Sequence, residues 1–403
     1  MTLSEELTWR GFVNQMTFAD ITDLDKETRT FYWGVDPSAD SMTIGHLAPA
    51  MMIRHFINYG YKPILLAGGA TGLIGDPDGK KQERDIKSEE EVSKNVDCLM
   101  NQYRQIFAGQ ELDMVNNSDW FRDIGYLQFL REVGKNMSMT QLLDRDFIQT
   151  RIGEGGSGIS YAEFSYALIQ GYDFLHLFRK KGATLQVAGA DQWGNSVAGV
   201  SLIRKLEGVE AHVLTTPLII NKQTGVKFGK SEEGAVWLDP SKTSPYKFYQ
   251  FWLNCDDEMS QDLIKIYTLL DRETVEGVIA GHKSNPGTRL LQKTLAREVT
   301  DLVHGRERRE SVERVTAVLF GGEDVATLTD DDLEELAAEI PAVTKQSLIS
   351  ALVEAGVCAS NGEAKRLIAG GAVSINGLKA GDDCEITQTS LIKKGKNNFI
   401  LVR

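Results

Sequence analysis

Cysteine is scarce in this chain and scattered. Cys98, Cys255, Cys358 and Cys384 are the four in 403 residues, with no CxxC pair and no histidine beside any of them. That pattern excludes a disulfide-stapled scaffold and argues against a structural zinc site. No run of about 18 apolar residues occurs, and residues 1–14 lack a basic stretch leading into an apolar one. Neither a membrane span nor a signal peptide is expected, and the expected location is the cytoplasm. Basic residues are also in deficit, 44 Lys+Arg against 57 Asp+Glu for a net charge of −13, which disfavours a chain that coats nucleic acid non-specifically. A phosphate-binding P-loop is missing as well. The glycine-rich stretch GGATGLIGDPDGKK (68–81) invites that reading, but its glycines are one residue too close and no Ser or Thr follows the lysine.

What is present is an ordinary globular composition, 42% hydrophobic and 25% charged, with length enough for two or three domains. Charge is unevenly shared. Residues 343–403 hold eight Lys/Arg against five Asp/Glu, a net of +3, which leaves −16 on the rest. A small basic module therefore follows an acidic body, across the acidic run TDDDLEELAAEIP (329–341).

The stretch FYWGVDPSADSMTIGHL (31–47) reads as a strand, a tight turn through Asp36-Pro37-Ser38, and a helix with Gly45 and His46 in its first turn. A helix start directly after a strand offers free backbone N–H groups to an anion, although a capped surface helix has the same signature. KPILLA (62–67) reads as a second buried parallel strand. The loop after it carries Asp76, held extended by Pro77. Ser88-x-x-Glu91 opens a helix to about residue 107, and residues 120–151 read as a helical insertion ending in the flexible GEGGSG.

In FSYALIQGYDFLHLF (164–178), Tyr166, Gln170 and Asp173 share one stripe of a helix otherwise flanked by apolar residues. That stripe is either a solvated face or the wall of a site for a small polar ligand. ATLQVAGADQWGN (183–195) reads as a strand ending in Gly189, Asp191 and Gln192, where doubly wound sheets bind ribose. GVKFGKS (225–231) is a cationic loop able to close over phosphates, or simply a solvated one. At the tail, two short helices, the second capped by Ser360-x-x-Glu363 and carrying Lys365 and Arg366, precede a hairpin turning at Asn376-Gly377.

Taken together, these residues resemble the class I aminoacyl-tRNA synthetases, and within them the bacterial-type tyrosyl-tRNA synthetase family, over almost the whole chain. TIGH (43–46) stands for the HIGH signature and KFGKS (227–231) for KMSKS, while GADQWGN and LIGDP are the more specific matches. The resemblance implies an α/β fold: a Rossmann-like parallel-sheet catalytic domain (1–232) with a helical insertion (about 110–160) at a dimer interface. An α-helical domain meeting the tRNA anticodon region (233–325), an acidic linker (326–342) and a small α+β S4-type RNA-binding domain (343–403) would follow.

The implied activity is tyrosine–tRNA ligation. L-tyrosine and ATP give tyrosyl-adenylate and pyrophosphate, and the tyrosine then passes to the 3′ end of tRNA(Tyr). The resemblance assigns His46, Thr43, Ser38, Lys227, Lys230 and Ser231 to catalysis. It assigns Tyr32, Asp76, Tyr166, Gln170, Asp173 and Gln192 to tyrosine, and Gly34, Asp36, Gly45, His46, Gly189, Asp191 and Lys230 to ATP. Lys365 and Arg366 would meet RNA. Mg²⁺ would arrive with ATP, with no tightly bound cofactor, no protein metal site and no membrane partner, and the chain would be a homodimer. Two departures stand out. Thr43 replaces the first histidine and Ser38 a threonine, and Trp33 sits where a small residue near the ribose is usual. Two other readings are an RNA-binding protein on an inactive synthetase scaffold, and a ligase for another aromatic amino acid.

Overall fold

The computed structural model describes residues 1–403 apart from 78–84, 144, 222–224, 226 and 232–233, and apart from the side chains at 141, 146, 147, 230 and 231. Two compact units emerge, residues 1–243 with 254–295, and residues 244–253 with 296–403.

In the first unit, β1 (Thr30–Val35) and β2 (Lys62–Ala67) are runs of aromatic and aliphatic residues buried on both faces, which suits central strands of a covered parallel sheet. With β3 (Asp113–Asn116), β4 (Ala183–Gly189) and β5 (His212–Thr216) they form a sheet in the order β3-β2-β1-β4-β5, parallel throughout. Strand order reverses between β1 and β4, and a crevice opens there above the carboxyl ends of the strands. The helices that follow those strands are α1 (Ile44–Asn58), α2 (Glu89–Ile106), α3 (Tyr161–Lys181) and α4 (Trp193–Glu207). The longest, α3, starts at a Ser160–Glu163 capping box and stops at Gly182 in the left-handed conformation. Its apolar side packs Phe174, Leu175 and Leu177 against Tyr32, Leu202 and Val213.

β1 and β2 lie where the sequence places them. Two strands have no clear sequence signal: β3, four residues at the sheet edge in what reads as the start of the insertion, and β5, after the polar turn that ends α4. β3 is half-buried along its length and lacks the apolar run that marks β2, while β5, buried from Val213 onward, has only Val213 and Leu214 as apolar residues.

The second unit contains α5 (Arg306–Thr316), α6 (Asp330–Glu339), α7 (Leu348–Glu354) and α8 (Asn361–Ala369). Its mixed sheet runs β8-β7-β9-β10-β6, from β6 (Ala342–Val343), β7 (Val373–Ile375), β8 (Leu378–Lys379), β9 (Ser390–Lys394) and β10 (Asn398–Val402). The β7–β8 hairpin turns at Asn376 and Gly377, both at positive φ, as the Asn-Gly pair predicts. The acidic run is not an extended connector. It forms α6, whose Asp332 is fully buried and accepts from Arg314 Nε and Nη2 at 2.8 Å and from the Ser311 hydroxyl. The described residues of 234–325 are shared between the two units.

Candidate active site

The nucleotide end of the crevice is built on the turn between β1 and α1. Two amides of α2, Asn95 and Gln102, are buried and hold that turn by its backbone. Asn95 Nδ2 donates to Pro37 O at 3.0 Å, Met42 N donates to Gln102 Oε1 at 2.7 Å, and Gln102 Nε2 donates to Ser41 Oγ at 2.8 Å. Cutting either amide back to alanine strands a buried donor or acceptor, which costs about 1–3 kcal/mol. Asn95→Ala and Gln102→Ala are each expected to lower Tm and to raise KM for ATP several-fold in steady-state assays. An unchanged KM for ATP would show that the turn holds its shape without them.

The turn leads into the start of α1. His46 Nδ1 accepts from Thr43 N and pairs with Thr43 Oγ1, both at 3.1 Å. With Nδ1 engaged, the ring proton sits on Nε2. Burial holds the imidazolium below its ordinary 6.5, against a smaller opposing pull from Asp191, so the ring is neutral at pH 7. The hydroxyl at Thr43, where the signature has histidine, thus serves to fix the histidine that remains. Ser38, Gly34, Gly45 and Gly189 line the same cavity, of about 340 Å³.

At the other end, α3 buries Asp173 to 2% exposure. Its carboxylate accepts from Asn117 Nδ2 at 3.1 Å and from Trp120 Nε1 at 2.9 Å, and burial nevertheless pushes its pKa up to about 8. The Tyr32 hydroxyl, also buried and lining the cavity, has no hydrogen-bond partner among the described residues. A buried polar atom left unpaired in a cavity marks where a ligand atom belongs.

Between the two ends lie more carboxylates. Asp36 accepts from the Thr71 hydroxyl at 2.7 Å and from the Tyr166 hydroxyl at 2.8 Å, so Tyr166 is spent on Asp36 in this state. A side chain at Gly68 would come within 2.3 Å of both Asp36 Oδ1 and Thr71 Oγ1, which is why that position has none. Asp76 accepts from Gln192 Nε2 at 2.5 Å and from Asn195 Nδ2 at 3.5 Å, while Gln170 lines the wall beside it. Gln192 therefore meets Asp76 directly. Asp191 lies over Gly189, where a Cβ would sit 2.8 Å from its Oδ1, and it pairs with Lys227 Nζ at 3.7 Å. Lys227 is over half exposed at the cavity mouth, and the side chains of Lys230 and Ser231 lie outside the described residues.

The cavity thus gathers all the amino-acid and nucleotide residues read from the sequence, apart from Lys230 and Ser231. Sequence reading missed Thr71, Asn117, Trp120 and Asn195, together with Gln186, whose buried side-chain oxygen is also unpaired. Asn117 and Trp120 follow β3 at its carboxyl end, so recognising that strand is the signal that would have found them. Trp33 is part of the cavity lining. Its indole packs on Tyr103 of α2 with centroids 5.5 Å apart.

Known proteins resemble the chain over its whole length. Residues 24–321 match the family model of tRNA synthetases class I (W and Y), and residues 332–403 match the tyrosine–tRNA ligase SYY-like C-terminal domain. A tyrosine–tRNA ligase of Bacteroides fragilis is 42% identical, over all of this chain and 99% of that protein. Tyrosine–tRNA ligase 2 of Bacillus cereus is likewise 42% identical, over the full length of both. Among solved structures, a C-terminally truncated mitochondrial tyrosyl-tRNA synthetase of Aspergillus nidulans superposes with a TM-score of 0.72 at 27% identity, over 79% of this chain and 94% of that one. By fold, by site and by full-length similarity, the chain belongs to the class I tRNA synthetases of the tryptophan and tyrosine group.

Proposed function

We propose that the chain is a tyrosine–tRNA ligase. The observation that carries this reading is the pairing of buried Asp173, held by two N–H donors, with an unpaired buried Tyr32 hydroxyl. A phenol fits between them, donating to one and accepting from the other. An indole ring has no oxygen to accept from Tyr32, which opposes the reading as a ligase for tryptophan.

The tyrosine ammonium is received by the carboxylate of Asp76, with Gln170 and Tyr166 around it and Gln192 toward the tyrosine carboxylate. Its carboxylate then faces the α-phosphate of ATP and attacks it in line, releasing pyrophosphate. No side chain bonds covalently to the substrates, so the acceleration comes from positioning and from donors aimed at growing phosphate charge. His46 Nε2–H, Thr43 and Ser38 supply donors at the nucleotide end. Lys227, Lys230 and Ser231 carry the pyrophosphate side, and Gly34, Asp36, Gly45, Gly189 and Asp191 receive the nucleotide. Mg²⁺ enters as part of the MgATP substrate.

The finer domain scheme, catalytic 1–232, helical 233–325 and S4-type 343–403, belongs to the same proposal, as does a cytoplasmic location. A homodimer is supported by exposed apolar residues in the insertion, Tyr126, Leu127, Met139, Ile152 and Tyr161. Lys365 and Arg366, both exposed on α8, face RNA phosphates. Lys365→Ala with Arg366→Ala is expected to raise KM for tRNA about tenfold while leaving tyrosine-dependent pyrophosphate exchange untouched, because phosphate contacts add affinity without touching the chemistry. An equal KM for tRNA would remove these residues from the RNA face.

The decisive experiment is amino-acid-dependent exchange of labelled pyrophosphate into ATP with tyrosine, phenylalanine and tryptophan. Exchange with tyrosine alone is expected. No exchange with any of them would favour the RNA-binding scaffold, the reading that Thr43 in place of the signature histidine permits.

A further inference from the structure

Asp173 can accept a phenol proton only if its own donors stay aimed at it. Asn117 is anchored: its amide lies between Asp173 and the Thr71 hydroxyl, and Ala70 N donates to its Oδ1 at 2.6 Å. Trp120 is held more loosely: its backbone N–H donates to Asn117 O at 3.3 Å, and its indole packs against the apolar core. It belongs to a helix of four residues, Ser118–Phe121, and its side chain is only half-buried. Its one polar side-chain contact is Nε1 to Asp173 Oδ1, and the angle of a ring that can turn about two torsions is set by what packs on its faces.

His176 lies one turn after Asp173 on α3, and its imidazole stacks on the Trp120 indole, with centroids 4.4 Å apart and planes 15° from parallel. Tyr172, from the same helix, packs on His176 at a tilt of 53° with centroids 6.1 Å apart. Burial, then Lys180, Arg179 and Lys181, hold His176 below its ordinary pKa, so it stacks as a neutral flat ring at pH 7.

We infer that His176 is a positioning residue for tyrosine recognition: its ring fixes the Trp120 indole so that the indole N–H donates to Asp173. The inference rests on the proposed role of Asp173 as the acceptor of the phenol. Its chemical logic is direct. A lost N–H donor leaves the Asp173 carboxylate less stabilised as an anion, so the residue takes up a proton more readily and accepts the phenol less well. The other groups facing Asp173 are the Tyr32 hydroxyl from β1, Asp36 across the cavity, and Tyr166 and Tyr172 from α3; of these only Tyr172 touches the imidazole, and its phenol, raised above its ordinary pKa chiefly by burial, is uncharged at pH 7.

The test measures KM for tyrosine, KM for ATP and the pH profile of kcat/KM for tyrosine in the full-length protein. Wild type is compared with His176→Ala, His176→Phe and Asp173→Ala. For His176→Ala the expected results are a rise of about tenfold in KM for tyrosine, the size of one weakened hydrogen bond, with KM for ATP within about twofold, and an acid limb displaced to higher pH. His176→Phe keeps a flat ring and is expected to restore near wild-type values. Wild-type behaviour of His176→Ala, an equal rise in both KM values, or a His176→Phe variant as impaired as His176→Ala would overturn the inference. Asp173→Ala separates the two ideas. If it leaves KM for tyrosine unchanged the reading of the pocket itself fails, and if it alone is impaired only the role of His176 fails.

Discussion

Asp173→Asn is expected to remove tyrosine-dependent pyrophosphate exchange, by about 10²- to 10³-fold in kcat/KM, while making the unliganded protein more stable at pH 8. The loss follows from the site. A charge-assisted hydrogen bond contributes about 1.5–3 kcal/mol, and the variant also misdirects the donors Asn117 and Trp120, which are left facing an amide. The gain follows from burial. In the folded chain the carboxyl is pushed up to about 8 from an ordinary 3.8, so the native state holds its proton more tightly than the unfolded chain does.

For a carboxyl raised in this direction, folding stability is greatest below about pH 4 and falls as the pH climbs through 8, where the buried charge is fully formed. The full displacement corresponds to an upper limit of about 6 kcal/mol, offset by about 1 kcal/mol for the hydrogen bond an amide cannot make. Thermal unfolding at pH 8 should therefore show a higher Tm for Asp173→Asn than for wild type, with the difference shrinking toward pH 4. A variant that is inactive and also less stable at pH 8 would mean that the Asn117 and Trp120 bonds outweigh the burial penalty. A fully active one would remove Asp173 from substrate recognition.

His46→Ala is expected to reduce kcat by about 10²- to 10³-fold with little change in KM for tyrosine, the cost of deleting one donor aimed at charge that develops in the transition state. Nδ1 is occupied by Thr43, so only Nε2–H can reach the substrate. Because burial lowers the imidazole pKa, the ring is neutral throughout the pH range above 6.5, and no step in kcat from His46 is expected between pH 7 and 8.5. Thr43→Val should be milder, within about tenfold, since the backbone N–H at residue 43 still orients the ring. Pre-steady-state formation of the adenylate separates these outcomes. A kcat effect for Thr43→Val as large as that for His46→Ala would show that the hydroxyl itself reaches the substrate.

Much of this protein was readable in the chain because its signals are local. KPILLA marks a buried strand by its unbroken apolar run, Asn376-Gly377 marks a hairpin by the positive φ both residues adopt, and Ser88-x-x-Glu91 and Ser360-x-x-Glu363 mark helix starts by side-chain reach. The stripe of Tyr166, Gln170 and Asp173 follows from helical periodicity alone, and so does the expectation that those residues face one space.

Which partner each polar group takes was not readable, because it depends on strands far apart in sequence. Tyr166 meets Asp36 across 130 residues, Gln192 meets Asp76 across 116, and Asp173 meets Asn117 and Trp120 only because an edge strand with no apolar pattern ends beside α3. By itself the sequence determined the elements, the strand-to-helix turn and the residue types of the site, since propensity, capping and periodicity act over a few residues. Only the tertiary structure decided their pairing, the neutral state of His46 and the high pKa of Asp173. Those depend on distance and on the exclusion of water, which arise when remote segments close over one crevice.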